Sequence, residues 1–290
     1  MNLHIICNPI SGNGSGKAVG QKTMQLLSQR GISAIYHETE HPLQAIDFAS
    51  QAVREHADTV VAIGGDGTLH EVAQSLADTS TAFGIIPAGT GNDYVKTIHV
   101  PTDPEKALDL ILTGEPRPVD TVRINDRLFL NECGCGFDVM VLDYAENAKR
   151  YVKGILPYLH GVLQTIRHFK DIRISLSIDD EPLRERSILV LAVGNGRFIG
   201  GGIPIAPEAI PDDGLLDVLC VRGMSKPRML SVLPGLLKGK IQTFPETEHR
   251  RAKKLCVEGK GIRVNIDGEI IAMDRAEIEI KPASLLVYRP

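Results

Sequence analysis

Two stretches of the sequence place an aspartate among glycines directly after a hydrophobic run. They are VVAIGGDGTLHEV at 60–72 and IPAGTGND at 86–93. Glycine lets a ligand approach the main chain without a Cβ in the way, and a helix that begins after such a turn binds phosphate with its first N–H groups. Asp66 and Asp93 would supply oxygen ligands to Mg²⁺, which needs only one or two carboxylates beside water and phosphate. The stretches therefore predict magnesium-dependent phosphoryl transfer; the alternatives are ordinary strand–helix turns and aspartates that only cap helices.

A third glycine-bearing stretch is NPISGNGSGK at 8–17. It is not a Walker-type phosphate loop, because Ser11 stands in the place of the first glycine and Ala18 follows the lysine. It is not a dinucleotide fingerprint either, because Lys17 stands in the place of the third glycine. We predict a flexible loop whose N–H groups and lysine suit a phosphate, and a mobile surface loop explains the stretch equally well.

The elements that must position these stretches follow from the hydrophobic pattern. From residue 1 to about 120, we predict strands at LHIIC, SAIYH, TVVAI and FGIIP, and helices at about 17–30, 42–56, 68–78 and 104–113, the third capped by Thr68. Such alternation indicates a parallel sheet with helices on both faces, in which ligands bind beyond the carboxyl ends of the strands. All three glycine-bearing stretches fall at those ends, so we expect them at one edge of one sheet.

After Pro118 the pattern changes to strand-like segments separated by turn residues, with helices expected near 143–170 and 225–238. This pattern predicts an antiparallel β-sandwich. The predicted fold class is therefore α/β plus β, with an N-terminal α/β nucleotide-binding domain with a parallel sheet at 1–120, which 284–290 could join, and a C-terminal antiparallel β-sandwich domain at 121–283.

The composition limits the classes of partner. The 290-residue chain has a net charge of -4, so no basic field favours nucleic acid. No run reaches the about 20 apolar residues that cross a bilayer, and the first ten residues lack the features of a signal peptide. Five scattered cysteines indicate the reduced thiols of a cytoplasmic protein. Cys133 and Cys135 could be metal ligands, but no second Cys or His pair has zinc spacing, which favours a structural role.

Two C-terminal stretches contain further carboxylates. RVNIDGEIIAM at 263–273 predicts a β-hairpin with a two-residue Asp-Gly turn, which is a common feature. Its Glu269 gains a chemical role only if the turn reaches the nucleotide loops. PEAIPDDGLLDV at 207–218 predicts a turn before a strand, although its three aspartates could hold a hard cation.

Taken in order, these stretches resemble the diacylglycerol kinase catalytic family, in particular its soluble bacterial lipid kinases. The matching motifs are NPISG, GGDGTLHEV, IPAGTGND, FLNECGCGFD, APEAIPDDGLLDV and NIDGE, which span nearly the whole chain. The combination of GGDGT with GTGND is specific to this family. DDG and DGE support the resemblance only because they follow that combination in the order found in the family. The resemblance implies an ATP- and Mg²⁺-dependent lipid kinase of two domains, with the ATP cleft between them.

The resemblance also implies roles for individual residues. Asp66 and Asp93 would organise the catalytic Mg²⁺, partly through water, and Glu269 would be the general base that takes the proton of a lipid hydroxyl. The residues of a separate structural Mg²⁺ site would be Ile210, Asp213 and Leu215, the first and last through their main-chain carbonyls. The residues expected to line the nucleotide site are Asn8, Pro9, Ile10, Ser11, Gly12, Thr39, Gly65, Asp66, Gly67, Thr68, Leu69, His70, Glu71 and Thr90.

Departures from the family pattern keep other functions open. His70 stands where many relatives carry Asn, and Glu132 stands where the family prefers small or apolar residues. Asn131 and Glu132 are similar to the Asn-Glu pair of NAD kinases, which also carry GGDG, so a soluble-substrate kinase is the first alternative. A non-catalytic nucleotide-binding regulator is the second, and it is disfavoured because all three acidic residues of the expected chemistry are present.

A lipid acceptor requires a peripheral protein that meets the inner face of the membrane transiently. The stretch 151–170 has a helical stripe of apolar residues, for which core packing is favoured over a wall of an acyl-chain groove. Two basic runs, one at 249–254 and one formed by Lys149, Arg150 and Lys153, could attract anionic headgroups, although solvated faces explain them more simply. The sequence leaves the acceptor open among diacylglycerol, phosphatidylglycerol, undecaprenol and sphingoid bases, and a homodimer is compatible with it.

Overall fold

The computed structural model describes residues 1–149 and 156–290, which form two compact units. The first unit contains Met1–Thr121, Pro211–Asp213 and Lys281–Pro290, and the second contains Val122–Ile210 and Gly214–Ile280. The segment 211–213 is held within the first unit because the Asp120 N–H donates to the Pro211 carbonyl at 2.7 Å. That inclusion was not part of the predicted domains at 1–120 and 121–283.

The first unit is built on a parallel sheet with the strand order β2-β1-β3-β4. Its strands are β1 (Leu3–Cys7), β2 (Ile35–Glu38), β3 (Thr59–Gly64) and β4 (Ala82–Pro87), and its helices are α1 (Ser11–Gln29), α2 (Gln44–Arg54), α3 (Asp66–Leu76), α4 (Asp93–Thr97) and α5 (Pro104–Thr113). Every residue of β1, β3 and β4 is buried. Burial on both faces explains why these strands are continuous hydrophobic runs rather than alternating ones.

Two local predictions in the first unit need correction. The stretch at 8–17 is a loop only in part, because regular helix follows directly after Gly12, Asn13 and Gly14, which take positive, non-helical φ. Thr68 does not cap α3: the N-cap is Gly65, with φ -99°, and Thr68 lies buried within the first turn. An extended glycine here lets the helix start two residues earlier than the predicted start at 68.

The second unit is antiparallel, as predicted. Its strands are the end of β5 (Pro116–Ile124), β6 (Arg127–Phe129), β7 (Glu132–Gly136), β8 (Ile172–Ile178), β9 (Arg184–Gly194), β10 (Phe198–Ile199), β11 (Ile203–Pro204), β12 (Leu216–Arg222), β13 (Thr247–Ala252), β14 (Lys254–Ile266) and the first part of β15 (Glu269–Tyr288). Its helices are α6 (Phe137–Lys149), α7 (Leu156–His168), α8 (Lys226–Leu236) and the 3₁₀ turn Ile241–Thr243. The pairing order is β13-β12-β9-β7-β14-β15, and β8 pairs with both β9 and β14.

Two apolar clusters form the core of the second unit. One is made by the strands alone and includes Leu191 and Val264. The other joins the opposite face of β9 and β12 to α7 and α8, through residues such as Val162, Ile166 and Met229. The helices therefore cover one face of the antiparallel strands.

The single helix predicted near 143–170 is instead two helices, and the first begins earlier, at Phe137. Of its predicted apolar stripe, Val162 and Ile166 are buried, whereas Leu163 is exposed. The stripe positions at 152 and 155 and the basic residues Arg150 and Lys153 lie outside the described residues. Among the helices that the structure describes, none is long and apolar enough to cross a membrane.

Candidate active site

Three loops meet at the carboxyl ends of β1, β3 and β4, which are neighbours in the sheet. The N–H of Asn8 donates to the Ile63 carbonyl at 2.9 Å, and the N–H of Ala88 donates to the Gly64 carbonyl at 2.8 Å. The Asn8 amide also donates to the Thr68 hydroxyl at 3.1 Å. The loops after the three strands are therefore connected to one another directly.

Glycines make this close approach possible. Gly12 has φ +57°, and a Cβ added to it would lie 2.2 Å from the Ala88 carbonyl oxygen. A Cβ on Gly89 would lie 2.4 Å from the Cα of Gly65. The backbones of the GGDGT and AGTGND loops thus pack glycine against glycine, with no room for a side chain between them. By contrast, a Cβ on Gly67 would meet no protein atom within 4 Å.

The two aspartates lie in the first turns of α3 and α4. The Asp66 carboxylate accepts a hydrogen bond from the N–H of Tyr94 at 3.2 Å, so it reaches the residue next to Asp93. Asp93 is buried and forms an ion pair with Lys96 at 3.1 Å. The sequence places these carboxylates 27 positions apart, and the fold brings their loops into contact.

Other predicted nucleotide residues take structural positions around this edge. The N–H of Thr39 donates to the Cys7 carbonyl at 2.9 Å, which places it beside the end of β1. The Glu71 carboxylate accepts from the N–H of Ala45 at 3.3 Å and thereby stabilises the start of α2. The Leu69 side chain is buried in the core. Glu71 and Leu69 therefore direct their side chains into the protein.

Apart from Thr68, which is buried, the rest of the predicted set is at least partly accessible to solvent. Ile10, Gly67 and Thr90 are exposed, and Pro9, Ser11 and His70 are half-buried. Gly67, in the first turn of α3, combines exposure with open space around its Cα. Asn8, Gly12, Gly65 and Asp66 are likewise half-buried, so a ligand can reach these residues as well.

The donors at this edge suit a metal that is only partly held by protein. In the described part of the chain, no group of three His, Cys, Asp or Glu residues is arranged to hold a metal ion. Mg²⁺ differs from Ca²⁺ and Zn²⁺ in that it is commonly held by one or two carboxylates with substrate phosphates and water. Asp66 and Asp93 are compatible with that mode of binding, in which the protein supplies only some of the ligands.

The aspartates of the 207–218 stretch do not form one cluster. Asp212 pairs with the Arg289 guanidinium, and Asp217 is buried in β12 and lies 2.7 Å from the His249 ring nitrogen. The predicted hard-cation site for all three aspartates is therefore not formed.

Three further residues were expected at a structural Mg²⁺ site. Asp213, which is exposed, belongs to the first unit, and Ile210 and Leu215 belong to the second. This site stays a prediction.

In the second unit, the predicted hairpin is confirmed. Ile266 pairs with Glu269 across the two-residue turn Asp267-Gly268, and both turn residues have positive φ, 47° and 96°. The Asp267 carboxylate also accepts three backbone N–H groups, from residues 130, 131 and 132, at 2.8, 3.1 and 2.9 Å. The turn is thus fastened to the segment that enters β7, a role that the sequence alone did not indicate.

Glu269 begins β15 directly after this turn. Its side chain is 53% exposed and forms an ion pair with Arg127 at 3.1 Å. An exposed pair of this kind contributes about 1 kcal/mol or less, so the carboxylate can exchange partners at little cost. Glu269 is therefore fixed by its backbone while its carboxylate remains accessible.

A pair of buried carboxylates behind the hairpin was not predicted from the sequence. A Cβ on Gly134 would lie 2.8 Å from Glu132 Oε1 and 3.1 Å from Asp138 Oδ2, so both carboxylates occupy the space that the glycine leaves. Glu132 is 2% exposed, and its other oxygen accepts from the Asn265 amide at 3.2 Å. Burial, and then the charge of Asp138, raises the pKa of Glu132 well above its ordinary value. The available signal in the sequence was the presence of two acids in the stretch NECGCGFD, which is otherwise made mostly of small and apolar residues.

Cys133 and Cys135 follow Glu132 in β7, alternate with glycines, and are buried free thiols. Burial raises the pKa of both thiols. Neutral buried thiols are poor metal ligands and nucleophiles, which agrees with the structural role expected for them.

Comparisons with known proteins cover both units. Residues 2–124 match the family model described as "Diacylglycerol kinase catalytic domain", and residues 131–289 match "YegS C-terminal NAD kinase beta sandwich-like domain". A protein from Mycobacterium tuberculosis named diacylglycerol kinase is 33% identical over 297 residues, which cover 98% of this chain and 94% of the relative. A Klebsiella pneumoniae protein named "Probable lipid kinase YegS-like" is 29% identical over 97% of this chain and 94% of its own.

A solved structure shows the same fold. The crystal structure of a diacylglycerol kinase from Bacillus anthracis str. Sterne superposes with a TM-score of 0.76 and 22% identity, covering 100% of this chain and 97% of that one. The family models, the relatives and the connected glycine loops agree with the resemblance stated from the motifs. The chain belongs to the diacylglycerol kinase catalytic family of lipid kinases.

Proposed function

We propose that this chain is an ATP- and Mg²⁺-dependent kinase that transfers the γ-phosphoryl group of ATP to a hydroxyl of diacylglycerol or a related lipid. The observation that carries the proposal is the connection of three glycine-bearing loops at the carboxyl ends of β1, β3 and β4, with Asp66 and Asp93 in the helix turns that follow. Membership of a lipid kinase family supports the lipid acceptor.

The N-terminus of α3 is the proposed phosphate site. Its first N–H groups have no partner within the helix, and the helix dipole favours negative charge there. Gly65 and Gly67 leave the backbone accessible, and the space around Gly67 is open. Phosphate oxygens of ATP would accept from these N–H groups.

Asp66 and Asp93 are the proposed metal residues. Mg²⁺, when bound, would neutralise charge on the transferring phosphoryl group. Asp66 is the more accessible of the two, whereas Asp93 is buried and paired with Lys96. We therefore expect Asp66 to contact the ion and Asp93 to act partly through water.

Glu269 is the proposed general base. An alcohol is a weak nucleophile at neutral pH, and a positioned carboxylate that accepts its proton typically accelerates transfer by ~10²–10⁴-fold. The carboxylate of Glu269 is accessible, and its exchange from Arg127 to a lipid hydroxyl loses only a surface ion pair. Its backbone is held by the turn that Asp267 fastens.

The phosphate site can be tested with Gly67→Ala. The added methyl meets no protein atom, and alanine favours a helix over glycine by up to about 1 kcal/mol, so the fold should be kept or strengthened. We expect ATP affinity, measured by calorimetry, to fall at least about tenfold because the methyl occupies the phosphate position. The control is Gly31→Ala, which lies past the far end of α1 and also meets no atom within 4 Å; its φ of +67° strains an alanine and should lower stability, but ATP affinity should stay normal. Unchanged ATP affinity in Gly67→Ala would contradict this site.

The general base can be tested with Glu269→Gln. This variant should bind ATP normally and lose most of its turnover, by ~10²-fold or more. The matched control is Glu277→Gln, because Glu277 is also exposed on β15 and paired with an arginine, Arg275. If Glu269→Gln turned over at the rate of the control, the assignment of the base would be wrong.

The acceptor class can be identified with γ-labelled ATP. The protein is incubated with an extracted lipid mixture and, separately, with NAD, and the label is followed into the organic and aqueous fractions. Label in the organic fraction supports a lipid kinase, and chromatography then identifies the lipid. Label transferred to NAD would support the soluble-substrate alternative, and ATP binding without any transfer would support a regulator.

A further inference from the structure

The outer face of α8 carries an apolar stripe that no part of the described chain covers. The stripe consists of Pro227, Leu230, Pro234 and Leu237, which are spaced three, four and three positions apart and so share one face of the helix. All four are exposed, Leu230 by 49% and Leu237 by 50%. Leu237 ends the helix with helical backbone angles, so it continues the same face.

The inner face of the same helix is already used. Met229 is buried in the cluster that α8 shares with α7, and Leu233 and Leu236 pack against it. The helix is therefore apolar on both sides, although among the described residues only its inner side has packing partners. A helix that is hydrophobic all round is normally buried, and an exposed apolar stripe marks an interaction surface.

The charged residues of the segment that carries the stripe are all basic. Residues 224–244 contain four basic residues and no acidic residue, in a chain whose net charge is -4. Lys226, Lys238 and Lys240 are exposed beside the stripe, whereas the fourth basic residue, Arg228, is paired with Glu246. Residues 160–170 of the neighbouring α7 segment also contain no acidic residue. The acidic side chains next to residues 224–244 are Glu246, which pairs with Arg228, Glu208, which accepts from Gln242, and Asp171, which lies beside Gly223.

We propose that the α8 stripe docks on the surface of a bilayer that contains anionic lipids. Leucines and prolines would enter the boundary between headgroups and acyl chains, and the lysines would lie beside lipid phosphates. A second copy of the chain is a poorer occupant, because a symmetric contact through the stripe would bring the lysines of both copies together. The proposal rests on the proposed function in that a lipid acceptor gives the protein a reason to meet a bilayer, but docking itself needs neither ATP nor catalysis.

Vesicle sedimentation of the full chain tests the proposal. Vesicles of phosphatidylcholine alone are compared with vesicles of phosphatidylcholine and phosphatidylglycerol in equal parts. The wild-type chain should sediment with the anionic vesicles and should not sediment with the neutral ones. Leu230→Ser with Leu237→Ser should weaken binding at least about tenfold, and Lys238→Gln with Lys240→Gln about 30-fold.

The matched control is Leu183→Ser. Leu183 is also an exposed leucine of the second unit, but it lies in the acidic sequence IDDEPLRE, so its loss should leave vesicle binding unchanged. All substituted side chains are exposed, and each variant is required to keep the wild-type melting temperature and ATP affinity.

Two results would overturn the proposal. One is equal binding of wild type and the stripe variants to anionic vesicles. The other is a change of oligomeric state in the stripe variants with vesicle binding intact, which would make the stripe a contact between copies.

Kinase activity on a short-chain diacylglycerol dissolved as monomers separates this proposal from the proposed function. Wild type that binds vesicles but phosphorylates no lipid would refute the function alone, and stripe variants active on the dissolved substrate but weak on vesicles would support both.

Discussion

Replacing Asp138 by asparagine is expected to stabilise the second unit at neutral pH. Both carboxylate oxygens of Asp138 are buried without a well-formed hydrogen bond from the described residues. The N–H of Val139 and the amide of Asn265 lie near enough to lower the pKa somewhat, but burial outweighs them. The asparagine side chain would keep the shape of the aspartate and remove the charge that burial penalises.

The magnitude follows from the pKa. Burial raises the pKa of Asp138 to about 6 from an ordinary value of 3.8. A difference of about two pKa units corresponds to about 3 kcal/mol. Between these two values the unfolded chain has lost the proton while the folded protein keeps it, so stability falls as pH rises and the penalty is complete above about pH 6. Asparagine does not titrate, so the gain of the variant should grow from near zero at about pH 4 to about 3 kcal/mol at about pH 7.

The assay is urea unfolding, followed by circular dichroism at about pH 4.5, 6 and 8, where the gain should rise with pH across this series. The control is Asp126→Asn, which replaces an exposed aspartate in the turn between β5 and β6 and should show no such gain. A gain that was equal at every pH, or a loss of stability at the highest pH, would show that burial of the Asp138 charge is not a cost to folding.

Three other substitutions or reactions give distinct expectations. Gly12→Ala should lower the melting temperature more than Gly14→Ala, because both glycines have positive φ but only the first would place a Cβ 2.2 Å from a carbonyl oxygen. Asp267→Ala should destabilise the second unit by about 2–4 kcal/mol, measured by urea unfolding, since it removes an acceptor of three N–H groups; Asp267→Asn should lose less. Cys256, the one thiol of the five that is not buried, should react first with a thiol reagent in the folded protein, and mass spectrometry should find the other four modified only after unfolding.

The sheet of the first unit was readable from the sequence because its strands are buried on both faces. The run LHIIC coincides with β1, and TVVAI lies within β3. Hydrophobic runs bounded by glycine give both the element and its end, so the order of loops along one sheet edge follows. The roles of individual loop residues are a different matter, and those of Asp66, Asp93 and Glu269 stay predictions.

Helix starts were less readable because they depend on backbone angles rather than on residue types. Thr68 has the side chain of a capping residue, yet its hydroxyl accepts from Asn8, a residue 60 positions earlier. The cap position falls to Gly65, which packs against Gly89. The residue type alone predicted a capping threonine, but the contacts of Thr68 with Asn8 and of Gly65 with Gly89 place Gly65 at the N-cap.

The buried acids could not be placed from the sequence because strand register decides what surrounds them. Glu132 pairs with Gly194 in β9, and the next residue on its own face, Gly134, also lacks a side chain. A strand that reads as small residues interrupted by one acid becomes a pocket for two carboxylates only when Asp138 at the start of α6 turns back over it. Gly134 leaves space for the two carboxylates because it has no side chain. In the first unit, the missing side chains of glycines instead leave the backbone accessible.

The hairpin turn and Glu132 are joined by a network of hydrogen bonds. The Glu132 N–H donates to the Asp267 carboxylate and its carbonyl accepts the Asp267 N–H, each at 2.9 Å, while its side chain accepts from Asn265. Asn265 in turn accepts the N–H of Gly268 at 2.9 Å. The turn that sets the position of Glu269 is thus bonded to residue 132 and to a partner of it. The Glu132 side chain therefore adds a hydrogen bond to the base of the turn, at the electrostatic cost of burying a carboxyl group beside Asp138.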